Sequence, residues 1–215
     1  MMRVPAVSRR IVTFTGINMA SYYYLWKNRA KFPVGSKKFF YAWAKRAFTF
    51  RVLFRRNTMR NSLVRKGARI SDTAEIDNAI ITGHKNLLFV GDNSFIGRAH
   101  IALHDEVNIG SRVCINDSVE ILTASHDVLD AQWRHIKAKI IIEDYVWVGT
   151  GAMLLPGVHL GKGVVVGARS VVTRSVPAGC IVAGNPAKIL SKKRCEELDY
   201  DPCEFLAANR SWLIG

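Results

Sequence analysis

Apolar residues recur along this chain at a spacing of six. Counting from Ile142, every sixth position is aliphatic: Ile142, Val148, Leu154, Leu160, Val166 and Val172. A companion series two residues earlier runs Ile140, Val146, Ala152, Val158, Val164 and Ser170. The same pattern stands further up the chain at Leu103, Ile109, Ile115 and Ile121, preceded by Ile101, Val107, Val113 and Val119. Val90 and Ile96 are one residue out of phase with that block, which places a single-residue insertion near residues 98–102. A fainter copy begins at Ile70 and Ile76. An α-helix would repeat near 3.6 residues and a half-buried strand at two, while the strands of a sandwich return every ~8–12 residues. A period of six satisfies none of these. It fits short strands that each turn two side chains inward, joined by tight turns such as Gly91-Asp92-Asn93, Asn116-Asp117 and Gly161-Lys162-Gly163. Three hexads close one triangular coil, and stacked coils bury a continuous aliphatic column. The β-branched content of both series suits that stacking.

Between Ile121 and Ile142 the phase is lost, because their separation is not a multiple of six. Residues 122–139 therefore leave the coil as a loop, and loops held by a rigid scaffold are where chemistry concentrates. This one carries Thr123-Ala124-Ser125-His126-Asp127 and then Trp133-Arg134-His135.

The hexads, the segment Val146-Trp147-Val148-Gly149 and the tail Val176-Pro177-Ala178-Gly179 to Ala183-Gly184-Asn185-Pro186-Ala187-Lys188 resemble the hexapeptide-repeat acyltransferases. The likeness is strongest to the maltose/galactoside acetyltransferases and to the acetyltransferases of exopolysaccharide and lipopolysaccharide synthesis, and it spans residues 66–190. It implies an all-β fold, a left-handed parallel β-helix, assembled as a homotrimer. It also implies an acetyl-CoA-dependent O-acetyltransferase that modifies a sugar hydroxyl of a cell-surface glycan, with acetyl-CoA as co-substrate and no metal. Two alternatives stay open on the same fold: a sugar-amine N-acetyltransferase and a non-catalytic scaffold.

By the same resemblance, a histidine just past the coil edge is the catalytic base, and the run from Val113-Cys114-Ile115 through His126 aligns without a gap. Imidazole titrates near neutral pH, so it can take the proton of an attacking hydroxyl and return it to a departing thiolate. Asp127 and His135 are candidates to orient that ring or to meet the acceptor. Trp147, flanked by inward Val146 and Val148, should point outward at the acceptor wall or a subunit interface. For the acyl donor, Gly149, Thr150 and Ala168 match positions along the pantetheine channel, and Thr173 matches one near the nucleotide end. Arg174 and Lys188, with Arg169, are candidates for the phosphates. The Ser125-His126-Asp127 run is like the polysaccharide-modifying members, whereas the acidic and Asn-rich acceptor site of the maltose/galactoside members has no counterpart. A zinc carbonic anhydrase of this fold would need two histidines five apart; His100 and His104 are four apart, and no pair has the required spacing.

Charge divides the chain. Overall, 31 Lys and Arg stand against 17 Asp and Glu in 215 residues. Residues 1–70 hold 17 of the cations and no acid, so residues 71–215, with the other 14 cations and all 17 acids, are mildly acidic. That split argues against a uniformly basic nucleic-acid binder. Residues 1–65 form a basic amphipathic segment, 66–190 the acyltransferase domain and 191–215 a C-terminal extension with a short helix. On a helical wheel of residues 36–57, Phe40, Trp43, Ala47, Phe50 and Phe54 share one face and Lys37, Lys38, Lys45, Arg55 and Arg56 another. Such a helix suits an anionic membrane interface, and it equally suits a cap on the first coil. No apolar run reaches the ~20 residues of a membrane span, and residues 1–20 lack the pattern of a secretory signal. Cys114, Cys180, Cys195 and Cys203 match no zinc or disulfide framework. A cytoplasmic protein, peripheral at the inner face of the membrane, is the resulting expectation, with no nucleic-acid partner.

Overall fold

A computed structural model describes residues 20–215; the part of the basic segment before residue 20 lies outside them. The hexads fold as expected into a parallel β-solenoid of about six turns. Its three faces are three sheets. The first stacks Arg69–Ile70, Leu88–Val90, Val107–Ile109, Ile140–Ile142 and His159–Leu160. The second runs from Glu75–Ile76 through Phe95–Ile96, Cys114–Ile115, Trp147–Val148 and Val165–Val166 to Cys180–Ala183, with Lys188–Lys193 added antiparallel at its end. The third stacks Ile80–Gly83, His100–Leu103, Glu120–Leu122, Met153–Leu154 and Val171–Val172. Within the coils, strand partners are like residues: Ile76 over Ile96, Ile96 over Ile115, Val148 over Val166. These side chains form one buried column from Leu63 to Val182. Glycine is required where coils nearly touch. A Cβ on Gly149 would lie 2.8 Å from both the Ala168 nitrogen and the Val166 oxygen of the next coil.

The phase slip has a more detailed form than a single insertion. Ile96 pairs with Ile115, nineteen residues on, whereas Ile101 pairs with Ile121, twenty residues on. The turn before Ile101 is thus one residue shorter than its counterpart in the next coil. The stretch after Leu103 makes up the difference by widening at His104-Asp105-Glu106. The solenoid stays in register because Ile101 and Leu103 both remain buried. His104 is carried outward by that widened turn.

Three helices close the first coil: α1 (Ala20–Lys27), α2 (Lys37–Arg65) and α3 (Ala207–Leu213). Ser36 caps α2 by accepting a hydrogen bond from the Phe39 amide at 3.1 Å. The inward row of α2 is Ala42, Arg46, Leu53, Arg56, Asn57, Arg60 and Leu63, not the aromatic stripe. The reason lies in what the helix meets. Arg56 bonds the buried Glu75 carboxylate at 3.1 Å, and Arg60 donates to the Asp72 carbonyl. Arg46 donates to the carbonyls of Ala30, Ser211 and Trp212, the last two at the C-terminal end of α3, where positive charge is favoured. Polar groups at the end of the coil need partners, and guanidinium groups supply them where phenyl rings cannot. Burial pushes the Glu75 carboxyl upward, opposed by its bonds from Asn209 and Arg56.

The C-terminal extension runs back along its own solenoid. Arg194 donates to the Tyr145 and Gly163 carbonyls, Asp199 pairs with Arg112 at 2.8 Å, and Asn209 reaches Glu75 in the first coil. The two ends of the described chain therefore meet in one helical cap, where Leu25, Leu53, Ala208 and Trp212 form a second apolar cluster.

Candidate active site

The loop leaves the third sheet as a β-hairpin. Ala124–His126 pairs antiparallel with His135–Lys137, and the register sets His126 directly opposite His135. Thr123 anchors its base. Fully buried, its hydroxyl donates to the Ala102 carbonyl at 2.7 Å and accepts from the amides of His104 and Asp105 at 2.9 and 3.0 Å. One threonine thus ties the hairpin to the widened turn, and three imidazoles converge. Ring centroids lie 5.0 Å apart for His126 and His135, and 5.3 Å for His135 and His104.

His126 is held by Trp133. The indole stacks on the imidazole at 3.7 Å with an interplanar angle of 11°, and the Trp133 carbonyl lies 2.7 Å from Nδ1. A carbonyl can only accept, so Nδ1 carries the hydrogen and the lone pair of the neutral ring sits on Nε2. Trp133 reaches this position with a left-handed backbone, φ 51°, a conformation bulky residues rarely adopt. Asp127 has other duties. Its carboxylate accepts from the Leu129 amide at 2.9 Å, shaping the hairpin turn. His135 lies below the usual imidazole range, first through desolvation and then through the positive potentials of His126, Lys137 and His104. Sequence reasoning placed no function on His104; only the register change after Ile96 could have drawn attention to it.

The donor-side candidates occupy two corners of the prism. Thr150 and Ala168 follow Val148 and Val166 of the second sheet and stack in successive coils, with the Arg169 amide donating to the Thr150 carbonyl at 2.9 Å. Thr173 follows Val172 of the third sheet, on the same corner from which the His126 hairpin departs two coils earlier. Gly149 is filled on its Cβ side by the next coil, so its smallness serves stacking. Thr150, Ala168, Thr173, Arg174 and Lys188 are all exposed, a disposition that fits a slender thioester arm along a corner and phosphates beside cations. Trp147 projects outward, 45% exposed, in line with Cys114 and Val165. Among the described residues, no group of three His, Cys, Asp or Glu is arranged to hold a metal.

A family profile described as "Bacterial transferase hexapeptide (six repeats)" matches residues 139–174, the stretch in which the period of six is unbroken. The chain carries the hexapeptide repeat of that profile in this stretch. It is similar, at 29% identity over 181 residues, to the "Putative colanic acid biosynthesis acetyltransferase WcaF" of Escherichia coli K12, with 84% of this chain and 91% of the relative aligned. A hexapeptide-repeat acetyltransferase from Vibrio cholerae superposes with a TM-score of 0.59 at 27% identity, covering 81% of this chain and 99% of the other. Its complex with acetyl coenzyme A superposes at 0.56 with 25% identity, covering 82% and 100%. The alignments to these relatives, each named as an acetyltransferase or putative acetyltransferase, span 91–100% of their own length.

Proposed function

We propose that this chain is an acetyl-CoA-dependent O-acetyltransferase that acetylates a sugar hydroxyl in cell-surface polysaccharide biosynthesis. The observation that carries the reading is His126, locked by the Trp133 carbonyl so that Nε2 is the free base. The relatives support the donor, and the colanic acid relative supports the acceptor class. Bound acetyl-CoA would supply an acyl group already activated as a thioester, so the protein needs no covalent intermediate. Nε2 of His126 accepts the hydroxyl proton as the sugar oxygen attacks the acyl carbon, and the same nitrogen returns it to the departing sulfur. While the ring is charged, the Trp133 carbonyl accepts from Nδ1–H and stabilises the imidazolium. His135, kept neutral by its surroundings, faces His126 without opposing that charge and is placed to hold the acceptor. Thr150, Ala168 and Thr173 would line the acyl arm, and Arg174 and Lys188 would meet the phosphates.

The working unit is a homotrimer. Thr150 and Ala168 lie on a different corner from the His126 hairpin, so a single chain does not gather them into one cleft; adjacent subunits would. The hairpin also exposes Val128 (85%) and Leu129 (93%), apolar side chains suited to a neighbouring subunit or acceptor.

The test is product analysis. The purified chain is incubated with acetyl-CoA and a panel of nucleotide sugars and lipid-linked glycans, and products are read by mass spectrometry. A mild-base-labile acetyl ester supports O-transfer, an alkali-stable amide favours a sugar amine, and absence of both transfer and acetyl-CoA-induced thermal stabilisation sinks the enzyme reading.

A further inference from the structure

Helix α2 divides its labour along its length. Its 29 residues contain nine Lys and Arg and no acid. Arg56, Arg60 and Leu63 in the C-terminal half are consumed by the first coil, and Arg46 by the end of α3. The face turned away from these contacts carries the aromatic residues. Phe40, Tyr41, Phe48 and Phe54 are each more than half exposed, with Phe48 at 88%, and Trp43 and Phe50 border them. Lys37, Lys38 and Arg51 are exposed among the same turns, and Arg55, paired with Asp77, stands beside them. From Phe40 to Phe54 the stripe extends about 21 Å along the axis at 1.5 Å per residue. Next to it, α1 exposes Tyr23 and Trp26, and Lys27 with them.

Water-facing phenyl rings on a rigid helix need a partner, and the charge of the surface says which kind. We propose that the outward face of α2, from Lys37 to Arg55, is a membrane-interface surface that seats on anionic phospholipid. Phenyl and indole rings enter the boundary between headgroups and acyl chains while the lysines and arginines among them meet lipid phosphates. Long basic side chains can extend to the headgroups while their stems lie along apolar surface. A second copy is a poor occupant, because an isologous contact would oppose two acid-free basic faces. No helix among the described residues is long and apolar enough to cross a membrane, so the contact is one of lying on the bilayer. Guanidinium groups do most of the capping; Trp43 and Phe50 lean on Trp26, Trp212 and Tyr22, while Phe40, Tyr41, Phe48 and Phe54 stay exposed.

Co-sedimentation of the full chain with large unilamellar vesicles tests this without reference to catalysis. Vesicles of phosphatidylcholine with about one third phosphatidylglycerol should bind the protein at least tenfold more tightly than phosphatidylcholine alone, the order of discrimination a few cation–headgroup contacts provide. The exposed triple variant F40S/F48S/F54S and the charge variant K37E/K38E/R51E should each lose at least tenfold in binding, with melting temperature and oligomeric state unchanged. The proposal is overturned if wild type ignores anionic vesicles, or if both variants bind as wild type does. It is also overturned if the variants change the oligomeric state, which would assign the face to a second copy, or if polyuridylate binds where vesicles do not.

Discussion

Replacing His126 with alanine removes the base while leaving the scaffold alone. His126 lies on the hairpin, outside the buried column that runs from Leu63 to Val182. What the fold loses is one stacked contact with Trp133 and one hydrogen bond to its carbonyl. At a half-exposed site these are together worth about 1–2 kcal/mol, and the cost falls on the hairpin rather than the coils. The chemical step loses far more. A positioned general base contributes roughly 10²–10⁴-fold, which at about 1.36 kcal/mol per decade is roughly 3–5 kcal/mol of barrier. The assay is the initial rate of coenzyme A thiol release at saturating donor and acceptor, beside a thermal-shift titration with acetyl-CoA. We expect kcat to fall by at least a hundredfold while donor-induced stabilisation is retained. A loss smaller than tenfold in a folded protein would refute the assignment of Nε2 as the base. Loss of donor binding together with activity would show that the hairpin, not the imidazole, is what the substitution destroyed.

Other consequences follow from single contacts. Leu154→Ala opens a cavity at a fully buried position of the column and should cost about 2–5 kcal/mol, read as a lower urea midpoint. Arg46→Met strands the Ala30 and Ser211 carbonyls, while the Trp212 carbonyl keeps the Ala30 amide at 2.8 Å; it should destabilise by about 1–3 kcal/mol, with amide exchange rising first in α1 and α3 while the solenoid strands stay protected. The folded protein holds the His135 imidazole below its ordinary value, so between that lowered value and about 6.5 the unfolded chain binds the extra proton. Stability should therefore rise with pH across this window and be flat below it. His135→Asn should flatten the dependence of melting temperature on pH between 5 and 7, and an unchanged slope would exclude His135 as its source.

The solenoid was legible because a repeated local rule needs no long-range information. Each hexad places two aliphatics inward, and Ile142 through Val172 keep that rule without interruption, so the coils and the departure of the loop could be counted from residue types alone. The position of His126 in that loop was equally open to reading. What holds it was not: Trp133 and His135 are seven and nine residues away in sequence, and only the hairpin register brings them against the ring. Asp127, adjacent in the chain, instead shapes the turn, since neighbouring side chains on a strand point to opposite faces. His104 was hidden because a shortened turn and a widened one nearly cancel, leaving a single-residue slip in the phase. A helix near the N-terminus was legible in the sequence, but periodicity cannot say which of its faces turns inward. That choice was made by Glu75, Asp72 and the carbonyls of α3, polar groups distant in sequence whose need for partners buried arginines and left the phenylalanines outside. Residue order alone laid down the repeat and its break; folding, by bringing unsatisfied polar groups to the end of the coil, chose which side of α2 faces outward.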